Sequence, residues 1–125
     1  IFNSINFANG VKYFNMIFLT DRAQQVPFVY EIAIGAYNYI KHAFNDLPDN
    51  ILVDITEDES LWGQCTLDRD NALIEISESY LYNPKGLYDT LVHEFLHACE
   101  GCRNKESNNH KGEWLRRAKI LGIQL

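Results

Sequence analysis

Apolar and polar residues alternate along this chain in two rhythms, and the rhythms divide it into elements. Between residues 28 and 45, Phe28, Val29, Ile32, Ala33, Ala36, Ile40, Ala43 and Phe44 recur at spacings of three and four, the period of a helix with one buried face. Pro27 suits the first turn of that helix, and Asn45-Asp46-Leu47-Pro48 stops it. The rhythm then shortens to two. Ile51, Val53 and Ile55 alternate with Leu52, Asp54 and Thr56, as in a strand with one buried face. A second extended run covers roughly Leu61 to Leu67. The turn-forming Asp68-Arg69-Asp70-Asn71 leads into a third, Ala72 to Ser77, so at least one hairpin is expected.

The longer rhythm returns after Asn83-Pro84, a capping residue followed by a proline fit for the first helical position. This helix is expected to reach about Glu100 and to end at Gly101 in a left-handed turn. A polar loop follows from Arg103 to Asn109. A last short helix starts near Lys111, with Trp114, Leu115, Ala118 and Leu121 on one side. The first 25 residues lack clear periodicity and are expected to form a strand or extended arm. The order predicts an α+β fold, with helices packed on a short, mostly antiparallel sheet. With 125 residues and no linker, repeat or low-complexity tract, a single domain over 1–125 is expected.

Composition narrows the setting. No stretch of about 18 apolar residues is present, so no membrane span is expected, and the N-terminal segment lacks the basic leader and cleavage site of a signal peptide. Three cysteines, Cys65, Cys99 and Cys102, argue against a disulfide framework and for a reducing, cytoplasmic location. The net charge of −6 argues against nucleic acid as a partner. The charge is uneven, however. From Arg103 onward six basic residues face two acidic ones, which reads as a solvated basic helix or a contact surface for an anion.

The chemistry concentrates in His93-Glu94-Phe95-Leu96-His97. Histidines four apart on a helix share a face about one turn apart, a spacing at which two imidazoles can hold one zinc ion. Glu94 follows the first histidine by about 100° of helical rotation, where it can serve as general base toward water at the metal. Leu87, Leu91, Phe95 and Ala98 form an apolar arc of this helix, and Thr90, His93, Glu94 and His97 lie on the complementary arc. A catalytic zinc site ordinarily takes three protein ligands. A third histidine six residues after the second is excluded, because that position is Arg103. The remaining candidates are His110, Glu106 and Glu113, with His110 favoured by its place after a turn-forming loop. Cys99 and Cys102 offer a rival structural zinc site that His110 could join, but Cys99 lies on the apolar arc and free thiols are expected.

The stretch Leu91-Val92-His93-Glu94-Phe95-Leu96-His97-Ala98, followed by His110-Lys111-Gly112-Glu113-Trp114, resembles the SprT-like metallopeptidase family, which includes the spartan proteases. Trp62-Gly63-Gln64-Cys65 and Ala72 to Ser77 look like that family's strand pair, and the likeness spans roughly residues 28 to 122. It implies a small zincin-like domain with its active-site helix at 84–100. It also implies zinc held by His93, His97 and His110, Glu94 as the catalytic residue, and a protein or peptide substrate. DNA is a further partner of the family that the acidic charge does not support. The expected activity is zinc-dependent endopeptidase hydrolysis, with an extended substrate pairing along a free edge of the strand Ala72 to Ser77. Tyr80, Tyr82, Tyr88 and His42 are candidate donors to the oxyanion. The alternatives are a zinc-binding module of the same family with little or no turnover, and another metal-dependent hydrolase.

Overall fold

In a computed structural model, which describes residues 17–58, 62–80 and 83–123, the first described element is a short strand, β1 (Ile17–Leu19). Thr20 caps the single-turn α1 (Asp21–Gln24), its hydroxyl accepting from the Ala23 amide. The long α2 (Val29–Ala43) follows, then β2 (Asn50–Thr56), β3 (Gly63–Asp68) and β4 (Asn71–Ser77). The remaining helices are α3 (Pro84–Ala98), α4 (Lys105–Asn108) and α5 (Gly112–Leu121). Residues 1–16 lie outside the described residues, so the expected N-terminal arm is described only from Ile17 onward. No helix among the described residues is long and apolar enough to cross a membrane.

The chain is α+β as expected, but the sheet corrects one expectation. Its order is β1-β2-β4-β3. β1 pairs with β2 in parallel, β2 with β4 in parallel, and only β3 with β4 antiparallel. The sheet is mixed rather than mostly antiparallel. The reason lies in the connections. α1 and α2 intervene between β1 and β2 and carry the chain back to start a parallel neighbour. β3 then passes to the outer edge, and its hairpin returns β4 into the gap beside β2. Arg69 takes a left-handed φ of 56° in that hairpin turn.

The strand Ala72 to Ser77 therefore has no free edge, since it lies between β2 and β3. The edge near α3 belongs to β3. Burial follows the register. Ile51, Val53 and Ile55 of β2 and Ala72, Ile74 and Ile76 of β4 join one apolar cluster with α2, α3 and α5. Leu52 and Leu73 are also buried, at 2% and 6% exposure, as befits central strands flanked on both sides.

α3 is held at both ends by its sequence. Asn83 accepts from the Gly86 amide and Pro84 opens the first turn, as expected. At the other end the helix stops at Ala98 and tightens into a 3-10 turn, Glu100–Cys102, two residues short of the expected end. Gly101 is not the left-handed cap, since the positive-φ glycines are Gly112 and Gly122. Its bare Cα instead admits the Arg117 guanidinium and Asp46, because a Cβ there would lie 2.5 Å from an Arg117 nitrogen. α2 starts one residue later than its apolar pattern suggests. Phe28 is the left-handed residue before it (φ 69°) and is 70% exposed, so it is not part of the buried face. Tyr37 of α2 meets Phe95 of α3 edge to face at 6.5 Å, joining the two long helices.

Candidate metal centre

The two α3 histidines sit one turn apart, their ring centroids 4.9 Å from each other. The third histidine arrives from a segment that reads as loop but contains a helical turn. Asn104 caps α4 by accepting from the Ser107 amide, and the chain turns out of α4 through His110, whose φ is +60°. A non-glycine residue in that region carries strain on the order of 1 kcal/mol. Amides of Asn109, His110 and Lys111 donate to α4 carbonyls and over-determine the turn. Gly112 continues it at φ +59°, where a Cβ would come 2.9 Å from a Glu106 carboxylate oxygen. α5 then begins without a cap of its own. The buried Ser107 hydroxyl accepts from the Trp114 amide in its place.

This turn carries the His110 ring to 4.9 Å from both other imidazoles. Nε2 of His93 and Nε2 of His110 are 3.0 Å apart, and one ligand nitrogen from each of the three rings lies within 4.8 Å of the others. Tetrahedral zinc with bonds of about 2.0 to 2.1 Å places its nitrogen ligands about 3.3 Å apart, so the cluster needs only a small adjustment to fit the ion. The donor chemistry fits as well. Burial pushes His93 down to about 4, helped by His110. Burial, then His93 and His110, push His97 down to about 3. Both rings are neutral at neutral pH, each with a lone pair free to coordinate.

Beneath all three lies Trp114, fully buried. It stacks on His97 at 5.0 Å and 15°, and lies 4.8 Å and 4.7 Å from His93 and His110. Its Nε1 has no hydrogen-bond partner among the described residues. In the sequence Trp114 reads as a core residue of the last helix and as the aromatic that closes the stretch His110 to Trp114.

Glu94 is 7% exposed, and burial pushes its carboxyl up to about 7. A cation held by the adjoining imidazoles would draw that value down again. Its position depends on β3. A Cβ at Gly63 would meet Thr90 Cγ2 at 2.8 Å, Glu94 Cγ at 3.1 Å and a Glu94 carboxylate oxygen at 3.2 Å, so glycine lets the strand lie against the helix there. Glu94, His93 and His110 all line one cleft of about 670 Å³.

The other candidates fall elsewhere. Glu113 pairs with Arg116 and Arg117, and Glu106 faces Gly112; neither joins the histidines. Cys99 and Cys102 are both buried free thiols, Cys102 no less than Cys99. Burial raises Cys102 to about 11 and Cys99 beyond it, and neither belongs to the metal-capable group. Arg103, where another histidine was excluded, donates to the carbonyls of Ala98 and Arg69 and so ties the end of α3 to the β3–β4 turn. Of the suggested oxyanion donors, Tyr88 lines the cleft, whereas His42 lines a separate surface cavity with Asp46 and Arg117. Tyr82 and the side chain of Tyr80 lie outside the described residues. The basic C-terminal segment spends Arg116 and Arg117 on Glu113 and Asp46.

The model of the SprT-like family matches residues 37–124, a span that contains β2 to β4, the three histidines, Glu94 and Trp114. No curated protein and no solved structure matches the chain.

Proposed function

The chain belongs to the SprT-like family, and on that premise we propose that it is a zinc-dependent endopeptidase. His93, His97 and His110 are its metal ligands and Glu94 is its general base. The observation that carries this reading is the convergence of three imidazoles, with a buried carboxylate beside them in an open cleft. When bound, zinc supplies a Lewis acid that polarises a carbonyl and makes water a nucleophile at neutral pH.

The chain's own residues do the rest. Glu94 accepts the proton of the attacking water at a carboxylate oxygen and delivers it to the departing amine. Trp114 and the α4–α5 turn fix the imidazoles, so that ligation requires little ordering. The outer edge of β3, which begins at Gly63 beside Glu94, offers backbone groups to an extended peptide. Pairing of that kind reads main chain rather than side chains.

The test is a zinc count beside a peptidase assay on wild type, His110→Ala and Glu94→Gln. About one zinc per chain is expected in the wild type and in Glu94→Gln, with much weaker retention in His110→Ala. Cleavage of an unstructured protein substrate is expected to drop about a thousandfold in Glu94→Gln, within the range for loss of a general base. Absence of zinc from the wild type, even after zinc is supplied, overturns the reading. Zinc without any cleavage reduces it to a metal-binding module.

A further inference from the structure

Beyond the metal ligands, the same cleft continues along α3 toward its N-terminus. Lys85, Tyr88, Asp89, Val92 and His93 line it, at the three- and four-residue intervals that place side chains on one helical face. From Lys85 to His93 that face runs about 12 Å. The opposite wall comes from Tyr39 of α2 and from Leu121 and Ile123 at the end of α5. The Tyr39 hydroxyl donates to the Leu121 carbonyl at 2.5 Å and pins that wall in place. Tyr39 and Tyr88 lie 6.4 Å apart across it. Val92 is 4% exposed, whereas Trp62, at the rim, is 73% exposed.

The charges decide what such a space accepts. Apart from Glu94, the charged side chains lining it are Lys85 and Asp89, which satisfy each other at 2.8 Å on the exposed side. Among the described residues no lining charge is left to select a charged side chain, and the walls are aromatic and aliphatic. Geometry decides how it would be reached. Trp62 and Gly63 at the start of edge strand β3 line the same cleft. Side chains of a peptide added to that edge alternate between faces, so one of each consecutive pair is turned toward the cleft.

We propose that this extension of the cleft is a specificity subsite, which takes a bulky apolar or aromatic side chain of the substrate beside the scissile bond. The proposal rests on the peptidase reading above and adds the substrate class to it. The whole cleft, its metal side included, holds about 670 Å³, room for one large side chain with flanking backbone.

The test separates binding from turnover. Zinc-loaded Glu94→Gln protein is titrated with two fluorescent peptides that differ at one central residue, Phe or Gly. The same titration is run on that protein carrying Ile123→Trp, which fills the pocket, or Tyr88→Ala, which removes a wall, with thermal unfolding as the check on folding. The Phe peptide is expected to bind about tenfold or more tightly, the scale of apolar-pocket discrimination, and both added substitutions are expected to shrink that preference. Equal binding of the two peptides, or a preference untouched by both substitutions, overturns the subsite. The wild-type enzyme is then given the same pair. A Phe preference in binding without cleavage of either peptide upholds the subsite and removes the peptidase reading. Cleavage of both at equal rates removes the subsite and leaves the peptidase reading standing.

Discussion

Two residues outside the ligand set decide how well the site is made. Trp114 stacks on His97, lies within 4.8 Å of the His93 and His110 rings, and keeps its Nε1 buried with no hydrogen-bond partner among the described residues. An unsatisfied buried donor costs about 1–3 kcal/mol, a cost the fold accepts where one rigid ring must pack against all three imidazoles. Groups that orient metal ligands typically change affinity by about 10- to 100-fold when removed. Trp114→Leu is therefore expected to weaken zinc at least about tenfold, while Trp114→Phe retains most of the affinity; competition against a fluorescent chelator measures both. Gly63 acts on the base. Because any Cβ there runs into Thr90 and Glu94, Gly63→Ala is expected to leave zinc bound and lower kcat/KM about a hundredfold, the penalty for displacing a catalytic group by about an ångström. Equal kcat/KM for the two proteins would remove Gly63 from this role. At this scale the sequence is uneven as a source. His93, Glu94 and His97 are legible because their geometry is fixed within one helical turn. The tasks of Trp114 and Gly63 arise only when separate elements meet, and neither residue differs in type from ordinary core or strand residues.

Among the elements, the three longer helices and the strands from residue 29 onward are legible from their periodicities, and the pairing of the strands is not. Alternation in Ile51 to Thr56 and Ala72 to Ser77 reports which side chains face the core, but it is the same for parallel and antiparallel neighbours. What makes the pair β2–β4 parallel is the passage of β3 to the outside, a long-range choice with no local mark. The same limit hid α4. Four residues, Lys105 to Asn108, are too few for a periodic signal, yet this turn delivers His110. Its delivery relies on two positive φ values, at His110 and at Gly112, on either side of Lys111. Alanine at Gly112 must adopt a disfavoured φ and also push against Glu106. Gly112→Ala is expected to lose about 1 kcal/mol or more of stability and to weaken zinc several-fold, whereas alanine at Gly122, where a Cβ meets nothing within 4 Å, is expected to affect stability alone. Urea unfolding and zinc titration of the two variants distinguish them.

For the molecule as a whole, the site is braced from behind by one carboxylate. Asp46, in the segment between α2 and β2, accepts from the Gly101 amide at 2.9 Å and from Arg117 at 2.8 Å, and its carbonyl accepts from the Glu100 amide. Arg117 in turn binds Glu113 and lies over the Phe44 ring at 4.5 Å. One residue thereby joins the end of α2, the exit of α3 and the middle of α5, the helix that carries Trp114. Burial alone would raise the Asp46 carboxyl, but the Arg117 hydrogen bond, then the Gly101 amide and the Arg117 charge, outweigh it and hold it below the ordinary carboxylate value. The sign of its contribution follows. A carboxyl held low in the folded state stabilises the fold above the unfolded value of about 3.9 and loses that contribution as pH falls through that value toward its folded one. Asp46 and Arg117 are largely shielded, their side chains 21% and 12% exposed, so salt screens the pair less than it would a surface pair. Asp46→Asn is expected to cost about 2 kcal/mol at pH 7, as for hydrogen bonds to a charged group. The gap from wild type should narrow between about pH 5 and pH 3, because the unfolded chain's Asp46 takes up a proton there while the folded carboxyl, held low by Arg117, still resists one. Urea unfolding of both proteins across that range measures it. A gap that stays constant down to pH 3 would mean that packing around Asp46, rather than its charge, holds the three helices together.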